Sequence, residues 1–175
     1  GQVEVESDLQ EAYMAEVYLR KANLQGSNFS QSDLSDADLR EANLSATILV
    51  STTLRAATLR DADLRNADAR AADLSNADLT WADMRGMVID EQTTLSQRDR
   101  RVWEVTNATG VITDLRGIDL SWADLSGMDF SGLDLSGANL HRAQLRYTNF
   151  TNSNLSNADL TESDLTDAKL EGAKL

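Results

Sequence analysis

The sequence contains no proline and no cysteine, a single histidine and only 5% aromatic residues. Proline has no backbone N–H to donate, so its absence suits a chain in which nearly every N–H enters a hydrogen-bonded stack. Without cysteine, the redox compartment is undetermined. His141 has neither a cysteine nor a second histidine as a partner for a zinc site or a nucleophilic pair. We therefore expect no catalytic, cofactor or metal site.

Long apolar runs are also missing, so no segment is predicted to span a membrane. The start of the chain, Gly1–Glu6, lacks the basic and apolar regions of a signal peptide. We expect a soluble protein. Its compartment stays open, because a leader or a tag could have been removed before Gly1.

Leucine, or a close substitute, recurs at every fifth position. We call these residues the centres. They run from Leu9 to Ile89, and a second block runs from Leu115 to Leu175. Small residues stand two places before most centres, as at Ala37, Ala62 and Ala158. The larger exceptions mostly lie near the break between the blocks: they are Val17, Met87, Ile118, Met128 and Leu133.

A period of five fits neither a helix nor a straight strand. Five residues turn a helix by about 500°, so the leucines would drift around it, and on a strand they would alternate between faces. The pattern fits a chain that turns a corner in each repeat, with the centre and the small residue both pointing inward. The second residue after the centre, which we call the corner residue, is glycine at several repeats, where a turn could need a positive φ. These glycines are Gly117, Gly127, Gly132 and Gly137.

The motif Ala-Asp/Asn-Leu-Ser/Arg-X, as in residues 37–41 and 158–162, resembles that of the pentapeptide-repeat proteins. The resemblance implies an all-β solenoid, a right-handed quadrilateral β-helix with four repeats per coil. With about 7–8 coils at the spacing of paired strands, the stack would be roughly 36 Å long. We expect one domain over residues 1–175, with repeats at about 5–89 and 113–175.

An insertion at about residues 90–112 breaks the register. Ser96 is a plausible N-cap with Asp99 as a weak capping-box partner, and Gly110 is a plausible stop. These signals predict one helix over about residues 96–107. This insertion, with Val-Trp-Glu near its end, resembles those of bacterial and cyanobacterial pentapeptide-repeat proteins. The candidate compartments are the cytoplasm or, if a leader was removed, the periplasm or the thylakoid lumen.

Several side chains are candidates for a surface that faces a partner. One set is a basic cluster on the predicted helix. The other is a ladder of arginines that recur 20 residues apart, each directly after the centre of its repeat. Both sets have an alternative interpretation as solvated, partly paired charges, which we favour. The candidates are Trp81, Arg98, Arg100, Arg101, Trp103, Trp122, Arg20, Arg40 and Arg60.

The net charge is −13. Much of this acidity belongs to the motif, because aspartate often precedes the centre. Pairs of aspartates one coil apart, such as Asp63 with Asp83 and Asp114 with Asp134, could imitate a carboxylate dyad or a calcium site, but they recur along the chain. The interpretation as motif acidity is favoured.

Trp81 and Trp122 are both corner residues. If the insertion adds no repeat, they stack on one corner, Arg142 lies over Trp122 for a cation–π contact, and the helix covers them with Val102, Trp103 or Val105. In the alternative, residues 93–95 form one more repeat after a one-residue bulge, and the tryptophans occupy neighbouring corners. The stacked arrangement is slightly favoured, because two rare residues share a rare position.

These patterns predict a non-enzymatic repeat scaffold with a rigid surface for an unknown protein partner, without direct nucleic-acid or membrane binding. The alternative is a DNA mimic that inhibits or protects a type II topoisomerase, a function that the resemblance suggests. The chain ends on a bare repeat with Lys169 and Lys174 before its last centres, which disfavours mimicry. An uncapped last coil predicts weak end-to-end self-association or fraying of residues 166–175.

Overall fold

The computed structural model describes residues 6–108 and 114–175 and shows a backbone that turns a corner every five residues. Each strand is reduced to one bridging residue, the residue before the centre. Parallel bridges join residues 20 apart, as between Asp33 and Thr53, so four repeats complete one coil. The fold is a right-handed quadrilateral β-helix, as the family resemblance implies.

The chain divides into two compact units, Gly1–Trp103 and Glu104–Leu175. The bridging residues of the first unit run from Asp8 to Thr94 along the chain, and those of the second unit run from Asp119 to Lys174. The described chain has one helix, α1 (Gln97–Thr106), close to the predicted 96–107. Within the described residues, no helix combines the length and apolar character needed to cross a bilayer.

In a repeat that has a coil on both sides, the backbone ladder uses three of the five N–H groups. In the repeat at residues 32–36, one bond reaches back to the previous coil and two reach forward to the next. The donor–acceptor pairs are Asp33 to Ala12 at 2.9 Å, Leu34 to Thr53 at 2.8 Å and Asp36 to Arg55 at 2.9 Å.

The other two N–H groups are satisfied at the corners. Ser32 N donates to Phe29 O at 3.0 Å and closes the turn from the preceding repeat. Ser35 N donates to Oδ1 of Asp33 at 2.9 Å. Aspartate or asparagine before the centre therefore caps the one N–H that neither the ladder nor the turn uses. The sequence interpretation of this position as polar surface missed that backbone role.

Corner residues adopt a left-handed conformation whether or not they are glycine. Asp36 has φ 58°, Trp122 has φ 59° and Gly127 has φ 72°. This confirms that the corner needs a positive φ, but the sequence expectation was tied to glycine. A left-handed conformation costs a residue with a Cβ about 1–2 kcal/mol. At most repeats, therefore, the hydrogen bond from the corner N–H to the next coil holds a strained residue in place.

The interior is filled by the centres and by the small residues before them. Leu34, Ala37 and Leu39 are fully buried. Phe130 and Phe150 are 20 residues apart, a separation that predicts stacking of their rings from adjacent coils. The rings do stack, with centroids 5.6 Å apart and planes at 26°. The stack confirms the register of the second block.

Most of the larger residues two places before the centre lie in coils at the ends of the units. Met87 is buried in the last coil of the first unit, and Ile118 and Met128 are half-buried in the first coil of the second. Leu133 is half-buried one coil further along, where Leu115 N donates to Asp134 O at 3.0 Å.

The start of the insertion corrects one sequence interpretation. Thr94 bridges Asp73, and Leu74 N donates to Thr94 O at 3.1 Å. Residues 93–95 therefore form one more repeat after a one-residue bulge, and the favoured interpretation, in which the insertion adds no repeat, is wrong. The predicted stacking of Trp81 on Trp122 assumed that the insertion adds no repeat, so it no longer has this support.

Ser96 is the N-cap of α1, as predicted: its hydroxyl accepts the N–H of Asp99 at 3.0 Å and donates to the Asp99 carboxylate. Val102 and Val105 are buried and Asp99 is 5% exposed. The predicted stop at Gly110 lies outside the described residues.

Candidate interaction surface

Carboxylates before the centres alternate with neutral residues along the coils. One column of the first unit reads Tyr13, Asp33, Thr53, Asp73 and Thr94. At a strand spacing of about 4.8 Å, this alternation keeps two aspartates roughly 10 Å apart. Because like charges directly opposite each other destabilise a sheet, the spacing lets the stack carry many acids with limited repulsion.

Arginine accompanies the carboxylates where two of them are adjacent. Arg65 Nη2 lies 2.6 Å from Asp63 Oδ2, and its Nε lies 3.5 Å from Asp83 Oδ2. The hydrogen bond from the Arg65 side chain is the main cause that lowers the pKa of Asp63. Asp114, which precedes Asp134 by one coil, is paired with Arg116 at 2.6 Å. These pairs are ion-pair clusters, and no group of three or more potential metal ligands occurs among residues 6–108 and 114–175.

The predicted arginine ladder is paired with acids on its own face. Arg20 contacts Glu41 at 2.5 Å, Arg40 contacts Asp38 at 2.6 Å, and the longer pair of Arg60 with Asp78 is 3.7 Å. The hydrogen bond from Arg20 is the main cause that lowers the pKa of Glu41. The ladder is thus a set of half-exposed ion pairs, which agrees with the favoured interpretation.

Each of the two tryptophans at corner positions has an arginine guanidinium over its ring. Arg142 lies over the Trp122 ring at 4.6 Å, as predicted, and its Nε donates to Glu162 Oε2 at 2.7 Å. Arg60 lies over the Trp81 ring at 5.5 Å, a contact that sequence reasoning missed. The sequence contained the information for this contact, because the residue next to Trp81 lies one coil after Arg60.

His141 lies beside the second of these tryptophans. Its ring meets that of Trp122 edge-on, with centroids 5.9 Å apart. Its Nδ1 lies 2.7 Å from Thr161 Oγ1. The histidine is therefore part of a polar surface cluster, at the surface position that the sequence predicts.

The candidate residues of α1 do not form one basic patch. Trp103 Nε1 donates to Met87 O at 2.7 Å, and Arg100 Nη2 donates to Thr93 O at 2.7 Å. Arg98 pairs with the buried carboxylate of Asp99. Only Arg101 of the three arginines is exposed, so the insertion contributes less to a partner-facing surface than the sequence suggests.

Exposed apolar and aromatic side chains complete the surface. Ile48 is 40% exposed, and Val88, two coils later on the same column, is 48% exposed. Tyr13, Tyr18 and Tyr147 are 82%, 86% and 60% exposed. Sequence reasoning missed the tyrosines. Tyr13 and Tyr18 were detectable, because both replace the usual aspartate before a centre.

A family model described as pentapeptide repeats matches residues 7–45, 47–86, 113–152 and 138–175. The pentapeptide repeat protein Rfr23 from the cyanobacterium Cyanothece 51142 is 27% identical, with a TM-score of 0.52 over 53% of this chain and 63% of that one. This chain therefore covers less than two thirds of that protein.

Two further solved structures are similar over nearly the whole chain. HetL from the cyanobacterium Nostoc sp. strain PCC 7120, a pentapeptide repeat protein involved in heterocyst differentiation regulation, is 26% identical over 99% of this chain and 89% of its own, with a TM-score of 0.27. Full-length QnrB1, a plasmid-mediated fluoroquinolone resistance protein, is 20% identical over 98% and 90%, with a TM-score of 0.36. No curated protein matches the sequence. Because the family model spans well over half of the residues, the chain belongs to the pentapeptide-repeat family.

Proposed function

We propose that this protein is a non-enzymatic scaffold that presents a rigid surface to a protein partner. The observation that carries the proposal is the pair of tryptophan–arginine contacts at corner residues, Arg60 with Trp81 and Arg142 with Trp122. Tryptophan and arginine are enriched among the residues that dominate binding energy at protein interfaces.

The ladder holds these side chains in defined positions. Trp122 N donates to His141 O at 3.0 Å, and Arg142 N donates to Thr161 O at 2.9 Å. The backbone is thereby fixed before any partner arrives. A preordered surface loses less conformational entropy on binding, so a half-exposed tryptophan on this scaffold is well suited to act as an anchor.

A catalytic role receives no support from the residues described. The single histidine of the sequence, His141, sits in the surface cluster with Trp122 and Thr161. Pentapeptide-repeat proteins are generally structural or interaction proteins. Both points favour a scaffold over an enzyme.

The DNA-mimic alternative draws less support from the carboxylates. At Asp38, Oδ1 accepts the Arg40 side chain at 2.7 Å and Oδ2 accepts it at 2.6 Å, and Asp63, Asp68, Asp83 and Asp114 repeat this two-pronged pairing with the arginine two residues later. A mimic needs carboxylates that are available to basic groups of its target, whereas these five are engaged. A supercoiling assay with purified gyrase tests the alternative, and inhibition or protection at micromolar protein would favour it over the scaffold.

We also propose that the chain does not bind nucleic acid directly, because its surface aspartates repel phosphate. Titration of labelled duplex DNA at physiological salt measures this, and micromolar or tighter binding would contradict it. A single domain, weak end-to-end self-association and the cellular compartment stay predictions.

The scaffold proposal is tested by comparing bound proteins. The parent chain, Trp122→Ala and Arg116→Ala are used as baits in lysate of the source organism, with captured proteins quantified by mass spectrometry. Arg116 is an exposed arginine that pairs with Asp114 and belongs to neither tryptophan–arginine contact, so it serves as the matched control. A partner retained by the control and lost by Trp122→Ala supports the proposal. Identical captures for all three baits would contradict the role of this corner.

A further inference from the structure

A chain of hydrogen bonds on one face of the second unit ties His141 to a carboxylate. Asp159 Oδ1 accepts the Thr161 hydroxyl at 2.6 Å and the Thr161 N–H at 2.9 Å. The hydroxyl oxygen of Thr161 also lies 2.7 Å from His141 Nδ1. The three side chains therefore form one chain of contacts, with Thr161 in the middle.

The protons of this chain can be assigned one by one. The hydrogen bond from the Thr161 side chain is the main cause that lowers the pKa of Asp159, so this carboxyl is ionised at neutral pH and can only accept. A hydroxyl has one proton, and Thr161 gives it to Asp159. The Thr161 oxygen must then accept a hydrogen bond from His141, so Nδ1 carries the ring proton of the neutral imidazole.

Nε2 of His141 is consequently the unprotonated nitrogen when the imidazole is neutral. It makes no hydrogen bond to any of residues 6–108 and 114–175. The ring is half-buried and lies edge-on to Trp122, with centroids 5.9 Å apart. Nε2 is thus a hydrogen-bond acceptor beside the tryptophan that serves as an anchor in the proposed function.

The charged groups around the imidazole are held by other contacts. Asp159 and Glu162 lie one coil after it, and Asp119 lies one coil before it. Arg142, the next residue, pairs with Glu162 at 2.6 Å, and the Asn139 amide donates to Asp119 at 3.0 Å. Because Nδ1 keeps its proton in the imidazolium, a proton added at Nε2 changes the charge of this surface without breaking the hydrogen bond from Nδ1.

We propose that Nε2 of His141 is a proton-controlled contact for a partner that docks on Trp122. While the imidazole is neutral, Nε2 accepts a hydrogen bond from a backbone N–H of the partner. After protonation Nε2 is itself a donor, so two donors face each other and the partner is released. Histidine is the side chain that ordinarily changes charge between pH 5 and 8. Release by acid rests on the proposed scaffold function, whereas the tautomer of His141 does not.

The tautomer is read from the nitrogen spectrum of the single histidine in the chain. We expect long-range ¹H–¹⁵N correlation NMR at about pH 8, where histidine is ordinarily neutral, to show a protonated Nδ1 and an unprotonated Nε2. Thr161→Val removes the acceptor of Nδ1 and should shift the population toward protonated Nε2, while Thr161→Ser keeps the hydroxyl and should keep the parent pattern. A protonated Nε2 in the parent chain, or an unchanged pattern in Thr161→Val, would overturn the assignment.

Release by acid is measured with the proteins that the parent chain captures and Trp122→Ala does not. Their retention by the parent chain and by His141→Gln, which has no titrating ring, is compared at about pH 7.5 and about pH 5.5. We expect the parent chain to retain about fivefold less at the lower pH, the effect of losing one hydrogen bond. His141→Gln should retain similar amounts at both, and titrating groups of the partner itself affect both baits alike.

The outcomes separate this inference from the scaffold proposal. A partner that depends on Trp122 but stays on the parent chain equally at both pH values would overturn release by acid, and so would an equal loss from His141→Gln. If no captured protein depends on Trp122, the scaffold function at this corner and release by acid are both overturned. The NMR spectrum still decides the tautomer of His141 in that case.

Discussion

Asp73 allows the capping role of the residue before the centre to be tested at one site. Its Oδ1 accepts the N–H of Ser75 at 3.0 Å, the Ser75 hydroxyl, and the Thr94 hydroxyl at 2.7 Å. Asp73→Ala removes all three acceptor contacts and leaves the Ser75 N–H without this cap. Asp73→Asn keeps an Oδ1 in place and removes only the charge.

The expected loss for Asp73→Ala is about 1–2 kcal/mol of unfolding free energy, the range found when a side-chain cap is removed from a backbone N–H. The Asp73 side chain is 30% exposed, so water replaces part of the lost bonding. Asp73→Asn should lose less than half as much, because the distant Arg55 pair at 3.4 Å contributes little at this exposure.

The effect should also depend on pH with a defined sign. Hydrogen bonds from the Ser75 side chain, the Thr94 side chain and the Ser75 N–H, in that order, lower the pKa of Asp73 from 3.8 to about 2. A carboxyl whose folded pKa is depressed stabilises the fold fully above its unfolded pKa and loses this contribution as pH falls through the folded pKa. The advantage of Asp73 over Asp73→Asn should therefore shrink between about pH 5 and pH 2.

Urea unfolding followed by circular dichroism, at pH 7 and near pH 2, measures these differences. Thr53→Ala is the control, because Thr53 occupies the same position one coil earlier on the same column. The capping argument fails if Asp73→Ala unfolds at the same urea concentration as Thr53→Ala. It also fails if the difference between Asp73 and Asp73→Asn is as large near pH 2 as at pH 7.

Three further predictions concern the core, the corners and the insertion. Phe150→Ala should lower the unfolding free energy by about 3–5 kcal/mol, because it removes a buried ring stacked on Phe130; an unchanged melting temperature would mean that the register is wrong. Ala56→Gly should raise the unfolding free energy by up to about 1 kcal/mol, because glycine relieves a left-handed corner at φ 56°. The neighbouring Ala57→Gly, at a fully buried position, should lower it by about 1 kcal/mol, and equal effects of the two changes in a thermal melt would refute the corner argument. Trp81→Ala should make α1 more sensitive to limited proteolysis if the helix covers that corner, and a cleavage rate equal to that of the parent chain would reject the cover.

Much of the fold follows from the repeat alone. A leucine at every fifth residue with alanine two places earlier is compatible only with a chain that turns in each repeat, so the coil and its inward residues could be predicted. The family resemblance adds four repeats per coil, so that residues 20 apart share a column, and the Phe130–Phe150 stack and the Arg142–Trp122 contact could be predicted from the sequence. These pairs depend on the periodicity together with that number of repeats per coil.

The insertion could not be predicted in the same way, because it has no period. Helix propensity and the Ser96 cap gave its approximate range, but they did not show that Asp90 folds back to accept the Ala71 N–H at 2.9 Å and shapes the bulge before Thr93. That contact joins residues one coil apart. Its formation depends on how the chain leaves the last regular repeat.

The sequence by itself determined the period, the inward and outward positions and the acidity of the surface. The tertiary structure decided what the polar residues do. Asp33 caps a backbone N–H, Arg65 lies between two carboxylates, and Arg100 and Trp103 reach backbone carbonyls instead of a partner-facing patch. The physical reason is that apolar burial follows from the pattern of residues, whereas a hydrogen bond or an ion pair depends on a distance of about 3 Å between particular atoms, which only the folded coils define.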